Sequence, residues 1–381
     1  MTAMRIGIDY RAFQYVSRYL GIGTYSANLL DALHAANGHH ALVPFAHARS
    51  GPNGDAETSF DRLVDQRGFR ITGPRSLRRQ VVSHRLDLCH VLEILPPFAA
   101  AERTVVTVYD LIPLIFPKVY LSWRGLPFRW GLRAYYRFVR KARRIIAISE
   151  HTKADLQQIL GVPSEQIVVI YPGVSPAFRP LEAPARLAAV MARYGIRSPF
   201  MLYVGSCDYR KNVPGLLRAF AAFRTRGQEA YSLVLVGKDI EFKAERLRQQ
   251  GAALGIAEAL HLVGYVPLDD LVALYNAATM FVFPSWYEGF GFPPVEAMAC
   301  GTPVITSNTS SLREVADGSA LLVDPHDDHA VADAMHRLAL DRGLRETLRR
   351  RGPARAQHFQ WAQAAQRILA VYEQCGARAR A

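Results

Sequence analysis

The stretch Phe283-Pro-Ser-Trp-Tyr-Glu-Gly-Phe-Gly-Phe-Pro-Pro-Val-Glu-Ala-Met-Ala-Cys-Gly-Thr-Pro-Val304 starts where one apolar run, 280–283, ends and stops where the next, 303–306, begins. Between them lie a glycine-rich loop and a helix over 294–300 that Pro293 and Pro294 announce. Strand, loop, helix and strand at this spacing are the unit of a parallel sheet. Working outward, the same scheme recurs, with strands at 200–204, 232–236, 260–263 and 320–323 and helices at 213–226, 242–254 and 268–276. Towards the C-terminus, 327–374 reads as two or three amphipathic helices. In the first half, strands are expected at 4–9, 41–46, 86–92, 104–108, 144–148 and 166–170, with a helix at 24–36.

Between the halves, Tyr171-Pro-Gly-Val-Ser-Pro-Ala-Phe-Arg-Pro180 resists both helix and central strand and reads as a linker. The expected fold is therefore α/β, two doubly wound Rossmann-like domains facing a central cleft. The domains are placed at 1–175 and 176–360, followed by a C-terminal helix in 361–381. In such sheets ligands bind at the carboxyl ends of the strands, so strand-to-loop junctions are where chemistry is sought.

Composition supports an ordinary globular chain of 381 residues, half of them apolar, which excludes disordered and collagen-like classes. The start shows no signal-peptide pattern and no run is apolar enough to span a membrane. Cys89, Cys207, Cys300 and Cys375 lack metal-ligand spacing and read as reduced thiols of a cytoplasmic protein. No metal site is expected.

Four junctions carry candidate chemistry. In the quoted stretch, Glu288 sits in a loop with Gly289 and Gly291, while Glu296 falls in the first turn of the helix. A loop glutamate can meet a ligand beside backbone N–H groups, and a helical one can take two vicinal hydroxyls. After strand 200–204, Gly205 frees the turn and Arg210 and Lys211 stand side by side where a helix begins, a cradle for phosphates. Lysine is scarce, six against forty arginines, so a lysine at 211 is less easily filler. After strand one, Gly21 and Gly23 open a helix that includes Tyr25, either a simple tight turn or an anion-binding helix start. After strand 104–108 come Tyr109 and Asp110; the aspartate is placed either as a base or as a cap of the next turn.

The net charge of +13 is uneven, with +10 in residues 1–180 and +3 in the rest. Residues 120–144 contain eight basic and seven aromatic residues and no acid, among them Trp123, Arg124, Arg129, Trp130, Arg133 and Arg137. Such a segment is either a solvated helix face with core aromatics or a surface for an anionic partner. Anionic lipid is preferred over nucleic acid, because a polynucleotide-binding stripe should not stop after 25 residues.

Arg210-Lys-Asn212, Leu262-Val-Gly-Tyr265, Asp270-Leu, and the Glu288 to Glu296 pair with its Ala297-Met-Ala-Cys-Gly301 sequel fall in one order over essentially the whole chain. In these residues the chain resembles the retaining glycosyltransferases of family 4, which have the GT-B fold. The resemblance implies a nucleoside-diphosphate sugar as substrate, with no cofactor and no metal. It places Arg210 and Lys211 on the diphosphate, Glu296 on the ribose hydroxyls, and Glu288 with the amides of Phe290, Gly291 and Phe292 against the donor sugar. Gly21 and Gly23 would close over the diphosphate and acceptor, the helix 361–374 would cross back to the first domain, and Glu288, Asp110, Arg210 and Lys211 would carry catalysis. Many members have histidine where this chain has Tyr109, and a phenol cannot titrate near neutrality.

The Phe-Gly-Phe-Pro form of the glutamate loop resembles bacterial mannosyl- and rhamnosyl-type members that build O-antigen or exopolysaccharide. The expected donor is GDP-mannose, with UDP- and dTDP-sugars as alternatives. The expected acceptor is a glycan, lipid-diphosphate-linked, met by Tyr109, Asp110 and Tyr25 at the inner membrane face. An epimerase or phosphorylase of the same fold, or a non-enzymatic basic binding module, leaves the glycine and glutamate junctions idle or ill used.

Overall fold

The structure, a computed structural model, describes residues 3–14, 21–48, 59–72, 74–92, 100–122 and 124–378. The chain divides into two compact units, one of residues 1–173 with 360–381 and one of residues 174–359. The division falls inside the Pro/Gly-rich segment that begins at Tyr171.

Among the described residues, the first unit has seven strands: β1 (Arg5–Asp9), β2 (Ala41–His47), β3 (Phe69–Ile71), β4 (Leu88–Val91), β5 (Thr104–Val108), β6 (Arg144–Ala147) and β7 (Ile167–Val169). They pair in parallel in the order β3-β2-β1-β4-β5-β6-β7. Runs such as Thr-Val-Val-Thr-Val in β5 are buried along their whole length, as strands covered on both faces must be. The second unit has β8 (Phe200–Val204), β9 (Ser232–Val236), β10 (Leu260–Val263), β11 (Met280–Phe283), β12 (Val304–Ser307) and β13 (Leu321–Val323). These too are parallel, in the order β10-β9-β8-β11-β12-β13.

Both sheets reverse direction of winding once, between β1 and β4 and between β8 and β11. That reversal is where a doubly wound sheet opens a crevice at its carboxyl edge. It also makes the loops after β8 and β11 neighbours although some eighty residues separate them.

Some expectations need correction. The first helix runs Gly21–Ala36, so Gly21 and Gly23 lie inside its first turn and not in a loop ahead of it. The helix expected at 242–254 runs Ala244–Ala253, and a separate short helix, Lys238–Phe242, precedes it. Strand β3 was not expected, because Phe69-Arg-Ile71 carries an arginine at its centre, whereas the equally short β7 and β13 are unbroken apolar runs. The C-terminal helices number three: Asp328–Leu340, Arg342–Ala356 and Trp361–Arg378.

The last helix belongs to the first unit. Buried Tyr372 places its hydroxyl 2.6 Å from Nδ1 of buried His90 on β4, whose Nε2 lies 2.8 Å from the Thr107 hydroxyl on β5. Arg367 donates to the Val169 carbonyl at 2.8 Å. Burial pushes the His90 pKa down to about 3, so the ring that ties helix to sheet is neutral at physiological pH.

Candidate active site

The second unit assembles its charged residues at the β8/β11 reversal. Beyond β8, Asp208 caps a single 3-10 turn, Tyr209–Lys211, by accepting from the Arg210 N–H. Asn212 then takes a left-handed conformation (φ 53°) and starts the helix Val213–Arg224. Its buried amide donates to the Pro325 carbonyl at 2.8 Å, which fixes the turn. Lys211 is thereby turned inward and buried, with Nζ 4.6 Å above the Phe283 ring at the end of β11.

The loop after β11 is tied to that turn through backbone. Trp286 N–H donates to the Arg210 carbonyl at 2.8 Å, and the Ser285 hydroxyl lies 2.8 Å from both that carbonyl and Glu288 Oε1. From the other side, Glu288 N–H donates to Ser310 Oγ at 3.0 Å, and Ser311 Oγ donates to the Glu288 or the Phe290 carbonyl, each 2.8 Å away. The buried Glu288 carboxylate is consequently held between two cations, 2.5 Å from Arg210 Nη1 and 2.6 Å from Lys211 Nζ. Arg210 also reaches the Tyr287 carbonyl at 3.2 Å and Asp208 at 3.5 Å.

The electrostatics follow from this packing. Burial opposes ionisation of Glu288, but Arg210 and Lys211 outweigh it and hold its pKa below the ordinary carboxylate value. Burial pulls Lys211 down to about 8, with Glu288 acting against the fall and Arg210 adding to it. Two cations, Arg210 and Lys211, and two carboxylates, Glu288 and Asp208, thus share the site, so an entering anion gains the cations by displacing a carboxylate.

Gly291 begins the helix Phe292–Ala299 at φ 106°, a conformation that side chains resist, and a Cβ there would sit 2.6 Å from Leu312 Cδ2. Phe290, buried, stacks edge-on against Phe292 and Phe359. Glu296, one turn into the helix, accepts from the Tyr275 hydroxyl at 3.0 Å. Burial raises its pKa to about 7, against the pull of that hydrogen bond and of Lys211. Gly205 lies at the end of β8, and its N–H donates to the Val236 carbonyl at 2.9 Å.

The remaining sequence-derived residues lie in the first unit. Gly21, Gly23 and Tyr25 share the first turns of one helix; Tyr25 is 1% exposed and packs edge-on between Tyr109 and Trp361. Tyr109 is buried and donates to the Leu92 carbonyl at 2.9 Å. Asp110 accepts from the Ile112 N–H at 3.0 Å, a local turn ahead of the short helix Ile112–Ile115, whose N-cap position is Leu111. Of the basic segment, Trp123 lies outside the described residues, Arg124 is stacked 4.2 Å from the Phe128 ring centroid, and Arg129, Trp130, Arg133 and Arg137 are exposed.

Sequence reasoning missed Ser285, Tyr275 and Ser310. Ser285 lies in the stretch quoted first, but serine after a strand is too common to single out. A further buried pair, Asp9 and Arg11, stands at the end of β1 with Arg11 Nη2 2.7 Å from Asp9 Oδ2, and the Leu92 N–H also donates to Oδ2 at 3.2 Å. It ties the end of β1 to the end of β4.

Two cations and two glutamates gather at one sheet reversal of a paired-domain fold, and comparison with known proteins gives the family. Residues 19–178 match the family described as Glycosyltransferase Family 4, and residues 192–355 match Glycosyl transferases group 1. The chain is 31% identical over 278 residues to the O-antigen chain mannosyltransferase B of Escherichia coli, covering 71% of this chain and 70% of that protein. It is 36% identical over 245 residues to a D-inositol 3-phosphate glycosyltransferase of Acidothermus cellulolyticus, covering 61% of this chain and 54% of that one. Among solved structures, the sucrose-phosphate synthase of Thermosynechococcus elongatus superposes with a TM-score of 0.77 at 22% identity, over 98% of this chain and all of that one. The chain belongs to glycosyltransferase family 4, and its two doubly wound units are those of the GT-B fold.

Proposed function

We propose that this glycosyltransferase moves mannose from GDP-mannose, with retention at the anomeric carbon, onto a lipid-linked or oligosaccharide acceptor in bacterial surface-polysaccharide synthesis. The observation that carries the reading is the Glu288 carboxylate gripped between Arg210 and Lys211. Two cations, Lys211 buried and Arg210 partly so, that internal carboxylates already balance form a site that a diphosphate can enter by displacing Glu288. The likeness to an O-antigen chain mannosyltransferase supports the sugar and the pathway class.

In this mechanism the donor diphosphate takes Arg210 and Lys211, which stabilise the charge that develops on it as the glycosidic bond breaks. No metal is needed for that task. Released from the cations, Glu288 faces the sugar, where its negative charge complements an oxocarbenium-like centre. Glu296 holds the ribose hydroxyls, and the amides at Phe290, Gly291 and Phe292 meet the sugar and phosphate. Gly205 keeps the turn after β8 free of a side chain. Asp110, partly exposed, serves the acceptor side, while Tyr109 and Tyr25 are buried and do not. The leaving phosphate takes the acceptor proton on the face it departs from.

A thermal-shift screen of GDP, UDP and dTDP with their sugars tests the reading. A ligand at about 100 times its Kd adds about 2.7 kcal/mol of stability. A shift with GDP and GDP-mannose alone is expected. A shift with UDP or dTDP compounds instead overturns the donor, and no shift with any nucleotide overturns the reaction. The D-inositol 3-phosphate relative supports a second reading of the acceptor, a small phosphorylated polyol, which product analysis separates from a glycan.

A further inference from the structure

The helix Leu126–Val139 has two faces of different character. Leu132, Tyr135, Tyr136, Phe138 and Val139 turn inward and join the core that includes Val108, Leu111 and Ile145. The outward residues Leu126, Arg129, Trp130, Arg133 and Arg137, extended by Arg140 at its end, are spaced by one, three or four, which places them on one stripe. Leu126 is 63% exposed and Trp130 66%. No carboxylate among the described residues pairs with Arg129, Arg133 or Arg137, and residues 120–144 contain none.

We infer that this stripe docks flat on an anionic bilayer, with Trp130 and Leu126 entering the headgroup boundary and the arginines lying among lipid phosphates. The chemistry requires a partner that is negative and also offers an apolar layer. An exposed tryptophan within a row of arginines, next to an exposed leucine, matches the interfacial helices that lie in a membrane plane. Nucleic acid is the poorer fit, because stacking bases takes several outward rings, and Tyr135, Tyr136 and Phe138 are committed to the core. No helix among the described residues is long and apolar enough to cross a membrane, so the attachment is to the surface. The inference gives the lipid-linked acceptor proposed above its place of encounter and rests on that reading for its purpose alone.

The test is co-sedimentation of the full chain with phosphatidylcholine vesicles, with and without phosphatidylglycerol, at low and high salt. Binding to the anionic vesicles only, reversed by salt, is expected. Each arginine removed should lower the partition coefficient about fivefold, so R129A/R133A/R137A should lose about a hundredfold. Trp130→Phe removes the blue-shifted emission that vesicles induce, and circular dichroism checks that the variants remain folded. Equal binding to neutral vesicles, no vesicle binding, or binding that the triple variant retains overturns the inference. So does tight binding to single-stranded polynucleotide without vesicle binding. Stabilisation by GDP, measured on the same triple variant, stays at the wild-type value; its absence in both proteins sinks the donor reading while leaving the membrane result intact.

Discussion

Glu288→Gln keeps the shape of the side chain and deletes the charge that Arg210 and Lys211 share. At an effective dielectric constant of about 20, each contact at about 2.5 Å is worth about 6 kcal/mol gross. Desolvation of three charges cancels most of that, and removing one partner of a buried ion pair costs about 3–5 kcal/mol net. For a folding unit of this size that is a fall in Tm of about 6–20 °C. GDP should reverse much of it, since the diphosphate supplies the missing negative charge without first displacing a carboxylate. Isothermal titration should therefore show the variant binding GDP about tenfold more tightly than wild type, a gain of about 1.4 kcal/mol, while transferase turnover collapses. The tightening depends on Lys211 being protonated. Glu288 is what keeps its pKa from falling below about 8, so the gain is largest on the acid side of neutrality and fades as pH rises. An unchanged Tm, or weaker GDP binding at mildly acidic pH, would refute the view that Glu288 holds the diphosphate's place.

Three further outcomes follow from the packing. Glu296 has a folded pKa of about 7 against 4.5 ordinarily, so its contribution to stability is full below the unfolded value and is lost as pH rises through about 7. Glu296→Gln should match wild type in unfolding free energy near pH 4 and exceed it near pH 8 by up to about 3 kcal/mol. Wild-type affinity for GDP-mannose should rise over the same interval as the carboxylate ionises, and a flat profile in wild type counts against the ribose role. Gly291→Ala puts a Cβ 2.6 Å from Leu312 Cδ2 at a left-handed backbone; it should cost about 1–3 kcal/mol in urea unfolding, and a neutral result means the loop has another conformation. Tyr372→Phe strands one nitrogen of buried His90, and should cost about 1–3 kcal/mol. Pairing it with His90→Phe should recover part of that, and a double variant worse than the sum of the singles contradicts the hydrogen-bond account.

How the sequence and the tertiary structure divide the information is clearest at particular elements. Parallel strands covered on both faces are predominantly apolar runs, so β5, β8, β9 and β11 could be read at their true bounds from the sequence, as could the half-buried edge strand β10. The three-residue β3 could not, because its pairing with β2 and not its own pattern makes it a strand. Arg210, Lys211, Glu288 and Glu296 were legible as residues at strand ends, since charge beside glycine at such a junction is poorly explained by packing. The sheet order alone decides that β8 lies against β11, which brings a lysine and a glutamate far apart in sequence to 2.6 Å. The basic segment 120–144 showed its charge in the sequence, but only burial sorted its aromatics, sending Tyr135, Tyr136 and Phe138 to the core and leaving Trp130 outside. Local sequence determines which segments form strands and helices and what charge they carry, because those depend on neighbours along the chain. Which charges meet, and how far burial shifts their protonation, depends on neighbours through space, and that only the folded sheet supplies.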